Sequence, residues 1–328
     1  MQAVIQDSYG AADVLELSDI DVPAVNDDEV LIAVRAAGVD RGVVHLMTGL
    51  PYVVRLAGYG VRAPKNPVPG MDVAGVVVAT GRNVTRFAVG DEVLGIGRGT
   101  FAEVAVAPEN RLVHKPAELS FPQAAALAVS GLTALQAVRD HAMVEPGQKV
   151  LVLGASGGVG SFAVQIAKAY GAHVTGVSSG RKAPLVADLG ADEVIDYATT
   201  DFSTTGVRYD AIIDIGGNSS LSRLRRALAP KGRLVITGGE NGGRWIGGTD
   251  RQLRAMALSP FVSQSLRTFI ASENADDLAE LIGLVTQGVV RPQIDRAYPL
   301  SDAAGAVQYV AEGRAIGKVV VVPAQTAA

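Results

Sequence analysis

Residues 149–171, reading KVLVLGASGGVGSFAVQIAKAYG, leave little choice of architecture. Val150, Leu151, Val152 and Leu153 make a short apolar run of the kind that forms a parallel strand buried on both faces. A glycine-rich turn follows, and then Phe162, Ala163, Ile166, Ala167 and Tyr170 recur at helical spacing. Strand, tight turn and helix in that order are the setting a dinucleotide-binding fingerprint requires. Gly154 leads into a turn made of Ala155, Gly157, Gly158, Val159 and Gly160, so alanine stands where GxGxxG has its first glycine. Gly157 would let the backbone approach a pyrophosphate, and Gly160 would let the helix pack closely on its strand. The helix N-terminus adds unpaired N–H groups and partial positive charge. The alternative is a structural βα turn that holds no ligand; the flanking strand and helix favour nucleotide binding.

The next segment bears on which nucleotide. Residues 174–177 read as the second strand, and an NAD enzyme places Asp or Glu at its end, about 20 residues past the fingerprint, to bond the ribose 2′-hydroxyl. Here the strand runs into Ser178, Ser179, Gly180, Arg181 and Lys182. This stretch has no carboxylate to repel a 2′-phosphate, and two hydroxyls and two cations to bind one. NADP(H) is therefore favoured over NAD(H). The alternative is that Arg181 and Lys182 only solvate the start of the next helix.

A chain of 328 residues should hold two domains with a core for each. The net charge of −4 gives no basic excess for nucleic acid, and the absence of cysteine rules out disulfides, thiolate nucleophiles and Cys-based zinc sites. MQAVIQDSYG lacks the features of a secretory leader, and the most apolar long window, 119–138, is interrupted by Ser120, Pro122, Gln123, Ser130, Thr133 and Gln136. No membrane span is expected, and the cytoplasm is the expected location.

Up to about residue 115 the chain reads as mostly β, with strands over 2–6, 14–21, 29–39, 73–80, 92–96, 100–106 and 111–114 and one short helix over 40–47. From 117 to about 260 strands and helices alternate, the mark of a doubly wound parallel sheet, with further strands over 193–196, 211–215 and 233–237. A helix near 276–286 and a strand over 318–322 close the sequence. The fold class expected is α/β.

Motifs along nearly the whole chain resemble the medium-chain dehydrogenase/reductase superfamily, closest to its zinc-free branch of quinone oxidoreductases and enone reductases. They include Ala37-Gly38-Val39, Pro69-Gly70-Met71-Asp72-Val73-Ala74-Gly75, Val89-Gly90-Asp91-Glu92-Val93, Thr100-Phe101-Ala102-Glu103 and Gly131-Leu132-Thr133-Ala134. The fingerprint, Leu189-Gly190-Ala191-Asp192-Glu193-Val194-Ile195-Asp196-Tyr197 and Gly317-Lys318 complete the series. The resemblance implies a GroES-like catalytic domain from 1–118 and 261–328, a Rossmann NADP-binding domain at 119–260, and a homodimer.

Zinc-dependent relatives place a Cys after the first Gly-Val and a His-Glu pair after the later glycine; this chain has Asp40 and Met71-Asp72 there. Asp40, His45 and Asp72 are the set that a metal would have to use, and the expectation is no metal. The chemistry left is hydride transfer from NADPH to a quinone or an α,β-unsaturated carbonyl, whose oxygen needs only hydrogen bonds as charge develops. By resemblance Tyr52 is the candidate donor beside the nicotinamide, and Asp40 faces the cofactor, although a carboxylate cannot donate unless protonated. The alternative for Asp40 is a local ion pair with Arg41. Further cofactor contacts implied by resemblance are Thr133, Thr237, Gly238, Lys318, the backbone of Phe261, Val262 and Ser263, and, for the 2′-phosphate, Lys182 and Tyr197.

Two loops are expected to shape the substrate site: the apolar residues 51–67, with Tyr52, Val53, Val54, Leu56 and Tyr59 as a wall, and residues 238–248, which carry six glycines and Trp245 and should close over the bound nucleotide. A contact between subunits would account for the first loop equally well. Two alternatives stand beside the quinone or enone reductase. One is a dedicated enoyl, vinylogous or alcohol dehydrogenase-like enzyme of a pathway; the other is a non-catalytic NADPH-binding module.

Overall fold

A computed structural model of the chain describes residues 1–239 and 243–324. They form two units, one of Met1–Leu132, Glu273–Thr286 and the described part of Pro292–Ala328, the other of Thr133–Ser272 and Gln287–Arg291.

The first unit is β-rich. Numbered in chain order, it holds β1 (Gln2–Ile5), β2 (Glu16–Asp19), β3 (Glu29–Val39), β4 (Asp72–Thr80), β5 (Glu92–Ile96), β6 (Val104–Pro108) and β7 (Leu112–His114), with β14 (Ile294–Pro299) and β15 (Lys318–Val322) from late in the sequence. β1 and β2 form an antiparallel pair, and the remaining strands run in the order β14-β15-β3-β4-β5-β7 with β6 also on β3. β3 is the hub because Val30, Ile32 and Val34 alternate toward a core that includes Val73, Val77, Val93, Phe101 and Val319. Its antiparallel pairing with β15 sets Val39 opposite Val319 and Gly38 opposite Val320. The strand expected over 100–106 starts later, at Val104, because residues 100–103 spend their backbone bonds elsewhere: the Phe101 N–H donates to the Pro69 carbonyl at 3.1 Å and the Glu103 N–H to the Gln2 carbonyl at 2.9 Å.

The second unit is a six-stranded, all-parallel sheet of β8 (Lys149–Leu153), β9 (His173–Ser178), β10 (Glu193–Asp196), β11 (Tyr209–Asp214), β12 (Leu228–Ile236) and β13 (Ser265–Thr268), in the order β10-β9-β8-β11-β12-β13. This is the doubly wound dinucleotide-binding order, with its switch point between β8 and β11. Val150, Leu151, Val152, Ile212, Ile213, Leu234 and Val235 are fully buried, as expected of strands covered on both faces. The expected domain limits shift. β13 pairs with β12, so the second unit runs to Ser272 rather than 260, and it begins at Thr133 rather than 119. Four residues of mixed polarity gave no sign that they complete a sheet. No described helix is long and apolar enough to cross a membrane.

Candidate functional site

Ligands of such sheets bind beyond the carboxyl ends of the strands. At that edge of the second unit, β8 ends in Gly154, whose φ of +84° suits glycine, and the helix Gly158–Ala169 starts directly after Ala155, Ser156 and Gly157. A Cβ on Gly160 would lie 2.0 Å from the Gly154 carbonyl oxygen and 2.8 Å from the Ala155 Cα, so only glycine lets this helix approach its own turn. A Cβ on Gly157 would come no closer than 3.5 Å to the Gly154 oxygen, which leaves the turn open on the side a pyrophosphate would approach. Ala155 is fully buried, so the alanine in the fingerprint serves packing.

Ser178, Ser179, Arg181, Lys182 and Tyr197 gather at the neighbouring ends of β9 and β10: the Tyr197 N–H donates to the Ser178 carbonyl at 3.1 Å, and Tyr197 is largely exposed. Sequence reasoning missed a carboxylate at this spot. Asp196 is in register with Ser178, and its carboxylate lies against Gly180.

Thr237 and Gly238 lie where β12 ends, and their N–H groups donate to the Asp214 carbonyl at 3.0 and 3.2 Å. The Gly238 carbonyl accepts from Arg251 at 2.9 Å, while the same guanidinium reaches the Ser219 carbonyl at 2.7 Å and bonds the buried Asp214 carboxylate. Burial pushes the Asp214 carboxyl up, and Arg251 opposes this. In the 238–248 loop the Gly248 N–H donates to the Gly239 carbonyl at 2.9 Å and Trp245 is exposed; Gly242 of the six glycines lies outside the described residues.

Phe261, Val262 and Ser263 are not at this edge. They precede β13, at its amino end, where Ser263 Oγ donates to the Pro230 carbonyl near the start of β12. The segment that leaves the carboxyl end of β13 is Phe269-Ile270-Ala271, in which Ile270 is 98% exposed and Phe269 stacks on His141 at 4.0 Å. Nothing in the sequence marked this segment, because its place follows only from the pairing of β13 with β12.

In the first unit, Asp40, Asp72, Ser130 and Lys318 converge. Lys318 Nζ donates to Asp40 Oδ1 at 2.6 Å, to Asp72 Oδ2 at 2.9 Å and to Ser130 Oγ at 3.2 Å. Ser130 Oγ donates to Asp40 Oδ1 at 2.7 Å, and the Val129 N–H donates to Asp72 Oδ1 at 2.7 Å. Asp40 stands at the N-cap position of the helix Arg41–Thr48 yet makes no capping bond, because its carboxylate is turned to Lys318 and Ser130. Asp72 and Lys318 are sealed from solvent, and Asp40 is 11% exposed. A Cβ on Gly38 would lie 2.4 Å from Asp72 Oδ2, so the glycine of Ala37-Gly38-Val39 makes room for that carboxylate.

Burial raises the Asp72 carboxyl well above its ordinary value, and the charge of Asp40 adds to this more than Lys318 subtracts. Burial acts in the same direction on Asp40, but the Lys318 ammonium and the hydrogen bonds from Asp72, Lys318 and Ser130 outweigh it and hold that carboxyl low. Burial lowers Lys318, and the two carboxyls outweigh it, so the ammonium keeps its proton. The two carboxyls thus differ: Asp40 is held as the carboxylate that balances the ammonium, while burial and the Asp40 charge favour a proton on Asp72. Lys318, expected beside the cofactor, is instead an interior cation. Arg41 donates to the Val310 and Ala311 carbonyls at 3.0 and 2.7 Å, at the end of the helix Ala303–Ala311.

Zinc does not fit these residues. The two carboxyls in question already hold an ammonium, and His45 Nδ1 lies 3.0 Å from the Leu50 carbonyl.

A cavity of about 790 Å³ in the same unit is walled by Leu46, Tyr59, Pro64, Val68, Met71 and Arg98. The loop 51–67 therefore contributes a wall through Gly58, Tyr59, Pro64, Lys65 and Asn66, whereas Val53, Val54 and Leu56 do not line it. Tyr52 lies with its ring under the Arg55 guanidinium, 4.7 Å from the ring centre, and Arg55 also covers Tyr9 at 4.2 Å.

Residues 26–117 match the family described as alcohol dehydrogenase GroES-like domain, and residues 189–321 match that described as zinc-binding dehydrogenase. The chloroplast envelope quinone oxidoreductase homolog of Arabidopsis thaliana is 35% identical, with 98% of each chain covered. Among solved structures, the quinone oxidoreductase from Coxiella burnetii superposes with a TM-score of 0.86 at 28% identity, covering 98% of this chain and 99% of its own. A mycobacterial protein solved in complex with NADPH gives a TM-score of 0.84 at 27% identity, covering 98% and 100%. With a GroES-like first unit, a Rossmann second unit and relatives matched from end to end, the chain belongs to the medium-chain dehydrogenase/reductase superfamily, in its quinone oxidoreductase branch, and is an NAD(P)H-dependent oxidoreductase.

Proposed function

We propose that the protein is a metal-independent reductase that takes hydride from NADPH and delivers it to a quinone or an α,β-unsaturated carbonyl. The observation that carries the metal-independent part is the position of Lys318 Nζ, 2.6 Å from Asp40 and 2.9 Å from Asp72. An internal ammonium neutralises the carboxylate that a metal would otherwise need to balance. Without a Lewis acid, alcohol oxidation would need a general base to take the hydroxyl proton, whereas a quinone already accepts hydride.

When bound, the reduced nicotinamide supplies the hydride. Gly157, Gly158, Val159 and Gly160 would hold the pyrophosphate on open backbone and the helix N-terminus, and Ser179, Arg181, Lys182 and Tyr197 would hold the adenosine end. The cavity bounded by Tyr59 and Met71 has the volume of a small-molecule site, with apolar walls from Val43, Leu46, Val68 and Met71 beside the polar Asn66 and Arg98, and is proposed to take the acceptor. Tyr52 is not among the residues that line this cavity, and it is proposed as the hydrogen-bond donor to the acceptor oxygen on the family resemblance alone. Asp40, ionised between Lys318 and Ser130, cannot donate a proton and acts through position. The acceptor gains a hydride and one proton, which turns a quinone into a hydroquinone. β13 pairs, among the described residues, only with β12, and its open edge is proposed as the homodimer seam.

The test is NADPH oxidation by the purified protein with benzoquinone, phenanthrenequinone and a short alkenone, with and without EDTA. Turnover that survives chelation is the expected result. Turnover lost in EDTA and restored by zinc would overturn the metal-independent mechanism.

A further inference from the structure

We infer that Asp196 weakens selection between the two nicotinamide dinucleotides, so that the protein binds NADH as well as NADPH. The inference rests on the reading above that the end of β9 receives the adenosine ribose. Enzymes of this fold that choose NAD end the second strand with a carboxylate, which accepts hydrogen bonds from the ribose hydroxyls and repels a 2′-phosphate. β9 ends instead in Ser178, with Ser179 next in the chain, and on the sequence alone the carboxylate is missing.

The sheet supplies one from the next strand. Asp196, the last residue of β10, pairs in register with Ser178, the last residue of β9. The chain then turns through Gly180, where a Cβ would fall 2.5 Å from Asp196 Oδ2 and 3.3 Å from its Cγ. Glycine at that position therefore brings the turn and the carboxylate together. Oδ1 is fixed by the Ala198 N–H at 3.0 Å, and this leaves Oδ2 as the oxygen on the Gly180 side.

The groups that would favour a phosphate are weaker than their sequence suggests. Ser178 is buried, and its Oγ donates to the Ser179 carbonyl at 3.2 Å. What remains for a 2′-phosphate is Ser179, Arg181, Lys182 and Tyr197, set against a carboxylate in the same turn. The same carboxylate is a good acceptor for the 2′- and 3′-hydroxyls of NADH. Attraction and repulsion thus act on the same ribose substituent and largely cancel.

The experiment is calorimetric titration of the full chain with NADPH and with NADH, without acceptor, for the wild type and Asp196→Asn. The wild type should bind both, with dissociation constants within about thirtyfold of each other, and Asp196→Asn should tighten NADPH about tenfold while NADH stays level or weakens. A wild-type preference for NADPH beyond about a thousandfold, or a variant whose ratio of the two constants moves by less than about threefold, would overturn the inference. The wild-type ratio decides even if the variant fails to fold. Binding of neither nucleotide would also remove the nucleotide site on which the inference rests, an outcome separate from binding of both with an unmoved ratio.

Discussion

Lys318 Nζ lies 2.6 Å from Asp40 Oδ1, although 278 residues separate the two in sequence. Removing the ammonium leaves the buried Asp40 carboxylate without its counter-charge, beside Asp72. Lys318→Met is expected to lose about 3–5 kcal/mol of stability. Urea unfolding should show the loss growing as pH rises, because the native state of the variant must keep both carboxyls protonated. An equal loss at pH 5 and pH 8 would argue against the ion pair.

The two carboxyls are not equivalent. Burial and the neighbouring charge raise Asp72, whereas Lys318 and Ser130 hold Asp40 low. Asp72→Asn, which resembles the protonated acid, should therefore cost less than Asp40→Asn, which strands the ammonium. The sign of the pH effect follows from the same shift. Below about pH 4 Asp72 is protonated whether folded or not; above it the unfolded chain ionises first while the native state retains the proton. The wild type should lose stability relative to Asp72→Asn as pH rises from about 4 through the native titration. Unfolding curves of the two proteins across pH would check it, and parallel pH profiles would reverse the assignment.

Gly160→Val should abolish nucleotide binding. A Cβ there would lie 2.0 Å from the Gly154 carbonyl oxygen, so the helix must withdraw from the turn that is proposed to hold the pyrophosphate. A loss of at least about a hundredfold in NADPH affinity by calorimetry is expected, together with about 1–3 kcal/mol of stability. Unchanged affinity would place the phosphates elsewhere.

Arg251→Met should cost about 3–5 kcal/mol, since Asp214 would remain buried without its partner. The double variant with Asp214→Asn should recover much of that loss in a double-mutant cycle. Additive losses would mean that Arg251 matters through the Ser219 and Gly238 carbonyls instead.

How much of this was legible depended on range. The strand–turn–helix at 149–171 announced itself, because Val150 to Leu153 and the glycines are neighbours in sequence and the fold reads them locally. The long strand Glu29–Val39 was equally plain, its burial alternating over much of its length. What stayed hidden was set by pairing. β13 is only Ser265–Thr268, so its membership of the sheet, and with it the true ends of the second unit, follows from β12 rather than from its own residues. Asp196 looked remote from Gly180 because sixteen positions separate them, yet strand register sets them side by side. Lys318 could be placed near Asp40 only through a family likeness, and even then its burial between two carboxyls had no sequence signature.

The strand that carries Lys318 has a consequence for how this protein is made. On the ribosome, Asp40 and Asp72 emerge early, and the ammonium that balances the Asp40 charge emerges 278 positions after it. Until then the first unit lacks both an interior counter-charge and the strand that pairs with β3 from Ala37 to Val39. The parallel sheet of the second unit, drawn from Thr133–Ser272 and Gln287–Arg291, is complete in sequence before Lys318 appears. The usual order, in which the leading domain folds first during synthesis, is therefore inverted: the embedded unit can mature on the nascent chain while the one that began it waits for its last strand.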